Sequence, residues 1–115
     1  MYAVTMPVET KRMESGAVVV AVSGRLVLGR EVDRLEAAVK DLVKQTPGRV
    51  VFDLTGLDYA DSAGIGTFVE CLTLIKKAGG EMRLAGVNAR VTKLFQLTGI
   101  DHLMAVFATV AEAAG

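Results

Sequence analysis

Two hydrophobic periodicities alternate along this chain. Ala17–Ser23 reads AVVVAVS, an unbroken and mostly β-branched run. Such a run suits a strand buried on both faces. The stretch before it, Val4–Met13, is mixed and contains Pro7, which cannot donate to a sheet ladder and so predicts an edge strand. Glu14, Ser15 and Gly16 form the turn between them, and the opening element is a hairpin. From Glu31 to Val43 the period changes. Val32, Leu35, Val39, Leu42 and Val43 recur at spacings of three and four with charges between them, the pattern of an amphipathic helix. Pro47 and Gly48 end it.

The alternation then repeats. Val50, Val51, Phe52 and Leu54 make a short apolar run, a central strand that leads into a polar, glycine-containing loop. A second helix follows, with Ile65, Phe68, Val69, Leu72 and Ile75 on one face and Lys76 and Lys77 in its last turn, where cations suit the helix dipole. Gly79–Gly80 stop it. Met82–Gly86 is a further strand. Val91, Leu94 and Phe95 mark a third helix, with Asn88 as N-cap and Gly99 as C-terminal stop. Met104–Phe107 is a last strand, and Thr109 with Glu112 has capping-box spacing before a small Ala-rich helix. The order β-β-α-β-α-β-α-β-α implies one α/β domain: a mixed, mostly parallel sheet with an N-terminal antiparallel edge hairpin, covered by about four helices.

Composition narrows the function. The 115 residues carry 13 Lys+Arg against 13 Asp+Glu, a net charge of zero. That excludes the basic field of a protein that grips nucleic acid. Hydrophobic residues make up 51%, which excludes a disordered acidic chain. No apolar run reaches the ~20 residues a membrane span needs, and the first residues lack a basic region followed by an apolar stretch, so no signal peptide is expected and the cytoplasm is the default location. One His, His102, and one Cys, Cys71, do not suggest a metal site, and any Ser-His-Asp arrangement would hang on His102 alone. Cys71 lies beside the apolar stripe and reads as a small buried hydrophobe. Neither an enzyme nor a cofactor is expected.

One segment stands out, from Asp53 through Asp58, Asp61, Ser62, Ala63 and Gly64 to Gly66. It joins a central strand to the second helix, and in open α/β sheets binding sites lie outside the carboxyl ends of strands. Asp61 can cap the helix and Ser62 then sits in its first turn. Gly64 and Gly66 are poor helix formers, each costing up to about 1 kcal/mol against Ala. They strip the helix start of side chains, either to bare the backbone for a partner or to let helix and sheet pack closely. Val27 and Leu28, in a loop at the same end, are either apolar partner contacts or cover for the core. Ser62 by itself also suits a helix start irrespective of function.

The run D-S-A-G-I-G after V-F-D-L resembles the motif of the STAS domain family, the anti-sigma factor antagonists. Gly24-Arg25-Leu26 resembles the family's G-x-L turn. Gly79-Gly80 before M-R-L-A-G, and L-F-Q-L-T-G-I-D from Leu94 to Asp101, resemble its later landmarks. The resemblance spans Ala17 to Glu112. It departs at Val27, where many of these antagonists carry an acidic residue. The resemblance implies a non-enzymatic binding module with Ser62 as phosphosite. Val27, Leu28, Asp58, Asp61, Ser62, Ala63, Gly64 and Gly66 would form the partner surface. The implied partners are an anti-sigma factor with serine kinase activity, which the unphosphorylated form sequesters to free a sigma factor, and a phosphatase for reset. A homodimer is compatible with it. The alternative is a STAS scaffold or accessory subunit of a larger signalling or transport complex without the phospho-switch.

Overall fold

A computed structural model describes residues 8–45 and 47–115. Strand β1 (Val8–Arg12) pairs antiparallel with β2 (Val18–Val22), with Val8 opposite Val22 and Arg12 opposite Val18. The expected hairpin is therefore present, while the segment around Pro7 lies outside the described residues. A short strand β3 (Gly24–Leu26) leads to helix α1 (Arg30–Val43). Then come β4 (Arg49–Asp53), β5 (Leu57–Ala60), α2 (Ser62–Lys77), β6 (Glu81–Ala85) and α3 (Ala89–Thr98). A 3-10 turn, β7 (Ala105–Phe107) and α4 (Val110–Ala114) complete the order.

The main sheet runs β1-β2-β4-β6-β7, and every pair but the first is parallel. Successive residues of a strand point to opposite faces, and both faces here are covered. Val18, Val20, Val22, Val50, Phe52, Met82 and Leu84 pack with the apolar stripes of α1, α2 and α3. Val19, Val51 and Ala85 pack on Ala113 and Ala114 of α4. This two-sided burial is why β2 reads as a continuous apolar run rather than an alternating one. At the centre Phe68 meets Phe52 and Phe95 edge-on, at 6.0 and 5.8 Å between ring centroids. Such pairs add about 0.5–1.5 kcal/mol each beyond the area they bury.

Three expected helix boundaries hold at atomic level. Asn88 Oδ1 accepts from Val91 N–H at 2.8 Å. Thr109 Oγ1 accepts from Glu112 N–H at 3.2 Å. Gly99 closes α3 with a φ of 78°, in the left-handed region that favours glycine.

Two expectations are corrected. Gly24–Leu26 is not a turn and Leu57–Ala60 is not loop: they are β3 and β5, a separate parallel two-stranded sheet. Leu26, Leu57 and Ala60 are buried, so burial against neighbouring elements holds strands too short to show a period. Val69 is not on the buried face of α2. It is 36% exposed, and Cys71 takes the inward position instead. Burial pushes the Cys71 thiol up to about 12, helped by the charges of Glu36 and Glu70. The thiolate is the reactive form. Ellman's reagent should therefore label Cys71 in denaturant and leave it unmodified in the native chain; rapid native labelling would contradict this packing.

Candidate functional site

The corner between β3, β5 and the start of α2 is built around Asp61. As N-cap of α2 its side-chain Oδ1 accepts from Gly64 N–H at 2.8 Å, while its carbonyl accepts from Ile65 N–H at 3.0 Å. The other carboxylate oxygen, Oδ2, accepts from Leu28 N–H at 3.0 Å. Asp61 N–H in turn donates to the Leu26 carbonyl at 3.2 Å. One residue thus ties the loop after β3 to the first turn of the helix. The Leu28 and Gly64 amides hold its carboxyl below the ordinary 3.8, with the Leu28 bond the larger cause.

A carboxyl with a lowered folded pKa stabilises the fold above its unfolded value and loses that contribution as pH falls through the folded one. Asp61→Ala should therefore melt below wild type at neutral pH. The gap in Tm should narrow as pH falls below about 4, where carboxylates begin to protonate. Thermal melts from pH 7 to pH 3 check this, and a gap independent of pH would contradict it.

Ser62 is the first residue of α2 and is exposed. Its side chain lies on the exposed surface of the first helical turn. The adjoining backbone amides and the positive end of a 16-residue helix lie at the same place, an arrangement that favours negative charge.

The other expected site residues divide. Leu28 is 77% exposed and stands beside Asp61. Gly29 follows it with φ 127°, which lets the loop turn sharply before α1. Asp58 and Gly66 are exposed, and Ala63 and Val27 are half-buried. A Cβ added at Gly66 would meet nothing within 4 Å, so this glycine bares open helix surface. Gly64 does not. It is buried, and a Cβ there would collide with the Leu26 carbonyl oxygen and lie 3.1 Å from Leu26 Cγ and 3.2 Å from Ala60 Cβ. Of the two expected roles, the geometry supports close packing of Gly64 against β3.

Two features escaped sequence reasoning. Arg25 lies over the Tyr59 ring, 4.9 Å from its centroid, because β3 and β5 pair those residues. Asn88 Nδ2 donates to the Leu57 carbonyl at 3.0 Å and so fastens α3 to β5. The pairing of β3 with β5 makes the first contact, and the packing of α3 against β5 the second. Among the described residues there is no cluster of three or more metal-ligating side chains.

This fold and corner define an α/β domain whose exposed serine begins a helix. Residues 9–113 match the STAS domain model, and the chain belongs to the STAS domain family. It is 34% identical over 55 residues to an anti-sigma-B factor antagonist of Bacillus subtilis, covering 48% of this chain and 50% of that one. It is 31% identical over 75 residues to the anti-sigma-B factor antagonist of Staphylococcus aureus, covering 65% of this chain and 69% of that one. Solved structures share the fold at lower identity. An anti-sigma factor antagonist from Mycobacterium paratuberculosis superposes with TM-score 0.79 at 22% identity, over 92% of this chain and 88% of that one. The Bacillus cell fate determinant SpoIIAA in its phosphorylated form superposes with TM-score 0.70 at 21% identity, over 92% and 95%. Among the described residues no helix is long and apolar enough to cross a membrane.

Proposed function

We propose that this chain is a phosphorylation-controlled anti-sigma factor antagonist. Unphosphorylated, it binds an anti-sigma factor that has serine kinase activity, and a sigma factor is released. Phosphate on Ser62 ends the binding, and a phosphatase restores it. Such a switch works where sigma factors work, in the cytoplasm. The observation that carries the reading is the exposed Ser62 at the start of α2, near the exposed Leu28 and the open helix surface at Gly66. A kinase reaches that residue without unfolding anything. The relatives named as anti-sigma-B factor antagonists support the choice of partner.

The switch follows from local charge. A phosphate adds about −1.5 to −2 charge. On the free chain the helix start accommodates it. In a complex it would be buried against the partner next to Asp61, and an unpaired buried charge costs several kcal/mol. Release then needs no change of fold. Incubation with the anti-sigma factor kinase and ATP, followed by mass spectrometry, should place phosphate on the peptide that contains Ser62. Label elsewhere, or none with a kinase active on another substrate, would move the reading to a scaffold without a switch.

The fold should also tolerate the modification. Phosphorylated and unmodified chains are expected to melt within a few degrees of each other, because the phosphate would sit on an exposed residue at a helix N-terminus, where negative charge is favoured. A large drop in Tm on phosphorylation would mean that unfolding, rather than the new charge, ends binding.

A further inference from the structure

A second surface borders this corner and shares only Asp58 with the partner surface expected around Ser62. Tyr59 of β5 and Val91, Leu94 and Leu97 of α3 line a shallow groove of about 190 Å³, with Asp58, Arg90 and Lys93 on its rim. Leu97 is 75% exposed and Tyr59 41%. The buried stripe of α3 is Val91 and Phe95, so Leu97 contributes little to the core and presents an apolar side chain to water. Exposed apolar surface rimmed by polar groups marks interaction sites. The volume is below the roughly 300 Å³ at which small-molecule pockets begin, and suits an inserted side chain better than a cofactor.

The rim decides what kind of side chain and what surrounds it. Arg90 and Lys93 form no ion pair or hydrogen bond among the described residues. Arg25 lies over the Tyr59 ring, 4.9 Å from its centroid, outside the groove lining. Asp58 is the one carboxylate on this rim, at the end nearest Ser62 in sequence. Along α3 the positions 90, 93, 94 and 97 follow the i, i+3, i+4, i+7 spacing of a single helix face. Cations and apolar surface are therefore interleaved on one face. The walls are fixed before any partner arrives: Asn88 caps α3 through Val91 N–H and donates to the Leu57 carbonyl of β5. A preformed groove avoids part of the ordering cost of binding.

We propose that this groove docks a segment of a partner protein in which an apolar anchor residue is flanked by carboxylates. The anchor fills the space between Tyr59 and Leu97, and the carboxylates meet Arg90 and Lys93. This goes beyond the Ser62 switch and does not depend on it.

The test is selection from a random displayed peptide library on the wild-type chain, followed by fluorescence anisotropy with the enriched peptides. The expected winners carry an apolar residue and at least two Asp or Glu. Their affinity should fall at least about tenfold in Leu97→Gln, and by as much in the double variant Arg90→Glu/Lys93→Glu, since buried anchors and their charge partners dominate such contacts. Added salt should weaken them. Both variants change exposed side chains, so the fold persists, which melts confirm. Ser62→Asp should leave these affinities unchanged, so this proposal and the switch can fail separately. Winners without carboxylates, binding indifferent to Leu97→Gln, no selective peptide at all, or self-association of the wild type through Leu97 would each overturn it.

Discussion

Gly64→Ala should cost this chain about 3 kcal/mol, near the upper end for overpacking a core. In a domain of this size that lowers Tm by roughly 10 °C. The added methyl would strike the Leu26 carbonyl oxygen, with Leu26 Cγ and Ala60 Cβ already 3.1 and 3.2 Å away. The carbonyl cannot swing aside, because it accepts the Asp61 amide at 3.2 Å. The better helix propensity of Ala, worth up to about 1 kcal/mol, is too small to offset the collision. Gly66→Ala is the internal control. It makes the same change two residues on, where a Cβ meets nothing within 4 Å, and should stabilise the chain by up to about 1 kcal/mol. Thermal or urea melts of the pair decide it. Equal effects at the two positions would refute the packing role assigned to Gly64.

The second large effect is on binding. Ser62→Ala should bind the anti-sigma factor about as well as wild type, and Ser62→Asp should bind at least about 100-fold more weakly. About 3 kcal/mol gives that ratio, and it is a modest demand for a desolvated charge without a partner. Titration calorimetry of the two variants against the same anti-sigma factor reads it directly. Because Ser62 is exposed and begins the helix, neither variant should fail to fold. Equal affinities would remove the charge-based mechanism while leaving the family assignment intact.

How much of this was legible in the sequence depends on length scale. The runs that became β2, β4 and α1 announced themselves because each spans enough residues to show a period. The caps Asn88 and Thr109 and the stop at Gly99 were legible because their chemistry is local. The β3–β5 sheet was not, since three- and four-residue strands carry no period and exist through pairing with each other. Val69 was placed on the wrong face because a run of adjacent apolar residues does not say which one the helix turns inward. The D-S-A-G-I-G segment identified the corner, but its two glycines look alike in sequence. Only the approach of Leu26 separates the packed Gly64 from the open Gly66. The Asp61 bond to Leu28 and the Arg25–Tyr59 stack join residues more than 30 positions apart, and no local pattern encodes them.

The zero net charge of the chain acquires its meaning at this corner. On the proposed switch, one phosphate on Ser62 would be a substantial change to a neutral protein, and it would fall next to Asp61. The most direct test follows one sample of the chain through phosphorylation and back. Its affinity for the anti-sigma factor is measured before treatment, after stoichiometric phosphorylation of Ser62, and after phosphatase, with amide spectra recorded at each stage. The account predicts tight binding, loss of at least about 100-fold, and full recovery, with spectral changes confined to the start of α2 and its neighbours. Undiminished binding by the phosphorylated chain would contradict it.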